Sequence, residues 1–170
     1  MTKASENPHL VAQMAVEWQR ERPELPVDDA ALIGMLIGVT QRIERVGQVA
    51  LKEYELGTTE HAVLACLRRK GQPYQAIAND ILTEIIITSG ALTTCVDRLI
   101  KRGLVTRKAD RDDKRKRWIQ LTPEGAHLIN QVTEERFQLA SELLSGFSEK
   151  NRVKLKKLIF KFHETLQAYE

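Results

Sequence analysis

The residues best equipped for chemistry lie in one run, Lys101–Arg117, which carries nine Lys and Arg against three Asp. The whole chain has a net charge of only +3, so the remainder is net acidic and the basic charge is confined to one place. That distribution is the electrostatic footprint of a protein that meets nucleic acid. The plainer reading of the same run is a solvated, charged loop. Just upstream stand Thr88, Ser89, Ala91, Leu92, Thr93 and Thr94, mostly small or hydroxyl-bearing residues at the start of a helical stretch. Hydroxyls exchange hydrogen bonds with bases and phosphates, Ala and Thr methyls suit a thymine methyl, and small side chains let a backbone come close to DNA. Thr88-Ser89 would serve equally as a helix cap.

Those groups need elements to hold them. Leu10, Met14 and Trp18 recur at helical spacing and predict a first helix over Pro8–Arg22, broken by Pro23 and Pro26. A long second helix follows, capped by Asp28 or Asp29 and running to about Leu56, with Gly57 as its stop. Its length exceeds what one small lobe can bury. Thr58 or Thr59 opens a third helix that stops at Lys70-Gly71. A fourth is expected over Tyr74–Leu82, a turn over Thr83–Ile87, and a fifth from Thr88 or Ser89 to Gly103. Leu104-Val105 begins a strand, Arg117–Leu121 returns, and the charged run forms the tip between them. Thr122-Pro123-Glu124 reads as cap, first-position proline and acid at the positive end of a sixth helix, to about Leu144. Ser148-Glu149 starts a seventh.

Two helices joined by a turn and followed by a charged hairpin make a winged helix-turn-helix. The expected fold is mainly α, with a two-stranded β-wing and an α-helical dimerisation region. Residues 1–57 would supply N-terminal helices for dimerisation and a pocket wall, 58–121 the DNA-binding unit, and 122–170 C-terminal dimerisation helices. The fifth helix would enter a major groove and the hairpin tip the adjacent minor groove, where a narrow groove concentrates negative potential. Arg115 is the first choice for that insertion and Arg111 the second, with Asp113 fixing the direction of the Arg115 guanidinium. Lys114, Lys116 and Arg117 would neutralise phosphates, as would Arg98, Lys101 and Arg102 beside the fifth helix.

Three motifs in order carry a family resemblance. They are D-R-L-x-x-x-G-L-V-x-R at Asp97–Arg107, D-x-x-D-[KR]-R at Asp110–Arg115, and L-T-x-x-G at Leu121–Gly125. From about Asp28 onward the chain resembles the MarR family of bacterial transcriptional regulators. The extra first helix with Glu17–Leu25 is similar to the branch holding urate-responsive and other aromatic-acid-responsive repressors. The resemblance implies a homodimer on a palindromic double-stranded DNA operator, released by a small aromatic carboxylate. Urate-type members carry an acid where this chain has Ala62 and an arginine where it has Cys95, so a hydroxylated aromatic or pyridine carboxylate is implied in place of urate. Trp18 would stack on it, His61 would bind its carboxylate or ring nitrogen, and Cys95 stands in the former arginine position. Plainer roles fit too: core packing for Trp18, a solvated histidine, and buried inert thiols at Cys66 and Cys95.

Other classes fit less well. A cysteine-based redox sensor on the same fold is one alternative, and a winged-helix module that binds protein is another. No catalytic set, phosphate-cradling glycine loop or metal spacing points to an enzyme or a cofactor. No apolar run approaches the ~20 residues of a membrane helix, and no secretory signal precedes the first helix, which gives a cytoplasmic expectation with no membrane partner.

Overall fold

In the computed structural model, which describes residues 7–110 and 116–169, helices precede, interrupt and follow a small sheet. The order is α1 (Pro8–Glu21), α2 (Val27–Lys52), α3 (Thr58–Arg69), β1 (Gln75–Ile77), α4 (Ala78–Glu84), α5 (Ser89–Lys101), β2 (Val105–Ala109), β3 (Arg117–Leu121), α6 (Pro123–Leu143) and α7 (Glu149–Gln167). Side-chain caps start several of the helices. Thr88, Thr122 and Ser148 accept the N–H of Ala91, Gly125 and Asn151.

Several boundaries differ from expectation. Asp28 and Asp29 lie inside the first turn of α2, whose cap position is Pro26, so they act on the helix dipole and not as caps. Thr58 and Thr59 are helical; Gly57 precedes them, and its N–H is held by the Glu60 carboxylate at 2.9 Å. The second helix stops at Lys52, not Leu56. Glu55, with φ 52°, takes the left-handed position expected of Gly57, and the Leu56 N–H closes on Leu51 O at 3.1 Å. The early turn sends both Leu51 and Leu56 into the core.

The largest correction concerns Tyr74–Ile77. It does not begin a helix; Gln75–Ile77 is β1, antiparallel to β3 with Ala76 opposite Ile119. The sheet therefore has three strands in the order β1-β3-β2, and the expected wing hairpin is its β2–β3 half. The alternation in Gln75-Ala76-Ile77 is too short to register as a period, while Pro-Tyr resembles a helix start. Tyr74, with φ 59°, turns the chain into the strand, and Gln120 Nε2 donates to Pro73 O at 2.9 Å.

One core joins α3, α4, α5 and the sheet, and it draws on both flanks. Val63, Leu64 and Leu67 of α3 meet Ile81, Val96 and Leu99, together with Leu51 from α2 and Ile129 and Val132 from α6. The α6 junction explains the Leu121–Gly125 motif. Thr122 Oγ1 donates to Gly103 O at 2.7 Å and its N–H to Leu104 O at 3.1 Å. A Cβ on Gly125 would fall on the Leu104 carbonyl. Outside this core the picture reverses: α7 has no buried residue, and Leu32, Leu36, Val39, Ile43, Val46 and Val49 of α2 are exposed.

Candidate nucleic-acid interface and effector grooves

The α5 helix presents one face outward because its apolar residues fall on the other. Leu92, Cys95, Val96 and Leu99 are buried, while Ser89, Ala91, Thr93, Thr94, Asp97, Arg98 and Lys101 are exposed. Leu92 thus leaves the expected set of DNA contacts: it is 2% exposed and anchors the helix to the core. The hydroxyls of Thr93 and Thr94 donate back to Ser89 O and Gly90 O at 3.0 and 3.1 Å. Their methyls and oxygen lone pairs remain available outward. Thr94, Arg98 and Lys101 follow at i, i+4 and i+7, which puts hydroxyl and cations on one stripe.

The wing is tied to this helix. Arg107 on β2 reaches Asp97 on α5 at 2.6 Å, joining the two ends of the Asp97–Arg107 motif. At the root of the tip the Trp118 indole N–H donates to Asp110 Oδ2 at 2.6 Å, and the Asp110 N–H donates to Lys116 O at 3.2 Å. Acids in this basic surface therefore hold geometry. Sequence reasoning points to Asp113 for that job; the visible instances are Asp97 and Asp110. Arg111, Asp113, Lys114 and Arg115 lie outside the described residues. Arg117 is exposed at the start of β3, paired with Ala109. Arg102, expected to face phosphate, instead donates to Glu55 O and Tyr54 O at 2.7 and 3.0 Å.

The residues assigned to an effector separate within the chain. Trp18, 54% exposed, lines an apolar groove of about 500 Å³ between α1 and α2, with Val11, Met14, Leu25, Pro26 and Val27. His61 lines another groove of about 610 Å³ between α3 and α6, with Arg68, Arg69, Asn130, Arg136 and Phe137. Burial, followed by the charges of Arg136 and Arg69, lowers the His61 pKa, which favours the neutral ring. Arg68 is committed to Asn130 at 2.7 Å and stacks on Tyr74, and Arg69 pairs with Glu84 at 3.0 Å. Arg136 makes no hydrogen bond or ion pair among the described residues and lies against Gly47 of α2.

Cys95 lines neither of these grooves. It is 4% exposed, and burial together with the Glu60 charge pushes its thiol up to about 11. Cys66 is wholly buried and donates to Glu84 at 3.4 Å; burial first and that bond second raise it to about 11. Burial thus holds both thiols above the usual cysteine range and gives neither the electropositive, exposed setting of a reactive thiolate. Among the described residues no cluster of His, Cys, Asp and Glu could hold a metal, and no helix is long and apolar enough to cross a membrane.

A core-anchored helix with a polar outer face, tied to a two-stranded wing, defines a winged-helix DNA-binding protein. Comparison with known proteins gives the family. Residues 56–116 match the MarR family model. The chain is 36% identical to the HTH-type transcriptional regulator PecS of Dickeya dadantii over 88% of its own length and 90% of that protein's. It therefore belongs to the MarR family and is a transcriptional regulator, not an enzyme. Two solved structures share the fold. A cysteine-to-serine mutant of MarR from E. coli, complexed with operator DNA, has a TM-score of 0.65 at 24% identity, covering 85% of this chain and 96% of that one. BpsR of Bordetella bronchiseptica, whose DNA binding is regulated by 6-hydroxynicotinic acid, also has a TM-score of 0.65 at 24% identity, covering 76% and 90%.

Proposed function

We propose that the chain is a homodimeric repressor of a palindromic operator, and that a small aromatic carboxylate bound between α3 and α6 releases it. The observation that carries the dimer is the exposed apolar residues of α2 and α7, including Leu158, Ile159, Phe160 and Phe162. Burying a side chain of that size contributes about 1.5–3 kcal/mol, and a second copy offers the same surface in return. A two-fold pair would set two α5 helices about 34 Å apart, one DNA turn. Ser89, Ala91, Thr93 and Thr94 would then meet base edges. Arg98, Lys101, Arg117 and the tip residues Arg111, Lys114 and Arg115 would meet phosphate or the minor groove, with Asp113 orienting Arg115.

The effector reading rests on the groove that holds His61. Phe137, 74% exposed, offers a ring face, Arg136 an uncommitted guanidinium, and His61 a neutral donor or acceptor. Trp18 lines the apolar groove and would respond only if the ligand extends there or a partner protomer brings the two grooves together.

Fluorescence anisotropy with a duplex that the protein itself retains from a random pool tests the whole reading. Affinity is expected to fall by about 10³-fold between 50 and 200 mM salt. Adding 6-hydroxynicotinic acid as the first probe should release the duplex, and Arg136→Ala should raise the concentration needed by about tenfold, the scale of a charged hydrogen bond. Salt-insensitive binding would favour a protein-binding module, and unaltered release in Arg136→Ala would move the effector elsewhere.

A further inference from the structure

Arg102 ends α5, yet its side chain works on the other side of the protein. Its two Nη atoms donate to Glu55 O and Tyr54 O, carbonyls within the turn after α2. Those carbonyls lie past the C-cap Glu53, so the guanidinium ties down the turn itself, near the negative end of the α2 dipole. Glu60 of α3 stands 3.8 Å from Arg102 Nη1 and holds the Gly57 N–H. From the same turn the Tyr54 hydroxyl donates to Glu135 of α6. One short turn, residues 53–57, is thus tied to the recognition helix on one side and to α6 on the other.

We infer that Arg102, Tyr54 and Glu135 form a strut that fixes the angle of the winged lobe against α2 and α6, and so the half-site spacing the dimer accepts. Arg102 is a positioning residue in this scheme, not a phosphate contact. Two bonds to fixed carbonyls define a direction, which a single ammonium cannot do. Glu60 and Glu135 each precede in sequence a residue lining the α3–α6 groove, His61 and Arg136. The strut's hydrogen bonds therefore run beside that groove and reach α5 through Arg102.

The inference rests on the DNA-binding dimer proposed above, and its test separates the two. The probe is the duplex retained by the wild-type protein, together with versions carrying one base pair more or fewer between half-sites. Each base pair moves a half-site by about 3.4 Å and rotates it, so the wild-type protein should lose at least about tenfold in affinity for either version. Tyr54→Phe removes only the hydroxyl, and Arg102→Lys keeps the charge. Both are expected to accept all three spacings within about threefold, while binding to a non-operator duplex, set by charge alone, stays unchanged. An Arg102→Lys variant that keeps the wild-type spacing preference would show that charge, not direction, is what Arg102 supplies, and would overturn the strut. So would a Tyr54→Phe protein with unaltered preference, since the loss of one hydroxyl leaves the core intact. If the wild-type protein retains no duplex over random DNA, the dimeric-repressor reading fails first.

Discussion

The winged lobe and the helices around it follow opposite rules. In the lobe, apolar residues are inside and the motif residues hold one another: Asp97 with Arg107, Asp110 with Trp118, Thr122 with Gly103. In α2 and α7 many apolar residues are outside, and nothing among the described residues covers them. A lobe that satisfies itself can present a fixed surface to an outside partner. Helices that do not satisfy themselves leave apolar surface that association would cover. The two regions should therefore fail differently when mutated.

The largest effect should come from Gly125→Ala. The added Cβ meets the Leu104 carbonyl, which is backbone and cannot swing aside. A loss of about 3 kcal/mol or more in lobe stability is expected, read as a drop of roughly 6–12 °C in the thermal midpoint. An unchanged midpoint would mean that α6 and the wing root are not rigidly joined. Next comes Leu158→Asp with Phe162→Asp on α7. These should weaken self-association by about 100-fold in sedimentation, or ~2.7 kcal/mol, while far-ultraviolet dichroism of the lobe persists. Loss of both together would erase the contrast between the regions.

Asp97→Asn should cost at most about 1 kcal/mol in stability, because the pair with Arg107 is partly exposed. Operator affinity should fall by more than that figure allows if the pair sets the wing against α5. The smallest effect is on pH dependence. The His61 pKa is lowered by burial, so the folded protein resists a proton that the unfolded chain accepts. The stability tied to the neutral ring is complete above about 6.5 and is lost as pH falls from there toward the lower folded value. In His61→Gln the denaturation midpoint should be flatter over that interval; an identical slope would place the titration on another group.

Much of the molecule is legible in the sequence, for reasons that differ by residue. Periodicity marks α1, and caps and stops mark α5, α6 and the start of α7, because most of these helices open on a hydroxyl cap. The wing hairpin is legible because its strands flank a dense run of charge. β1 is not, since three residues carry no usable period and its partner is more than 40 positions away. Leu92 falls on the wrong side because proximity to a helix start does not reveal which way a side chain faces, although its spacing from Val96 and Leu99 carries the signal. Arg102 reads as a phosphate contact because composition records a charge and not its direction. The effector residues are the least legible: resemblance groups Trp18 with His61, and they line separate grooves in the chain.

The contributions of Leu51, Leu56, Ile129 and Val132 to the lobe's core limit how this protein can be cut and recombined. A transplant bounded at residues 58 and 121 would leave those four behind. It would expose Leu64 and Leu67 to a host whose flanking helices were shaped for other neighbours. The smallest exchangeable unit reaches from the last turn of α2 into the middle of α6, so altered operator preference in a chimaera must be engineered across both junctions together.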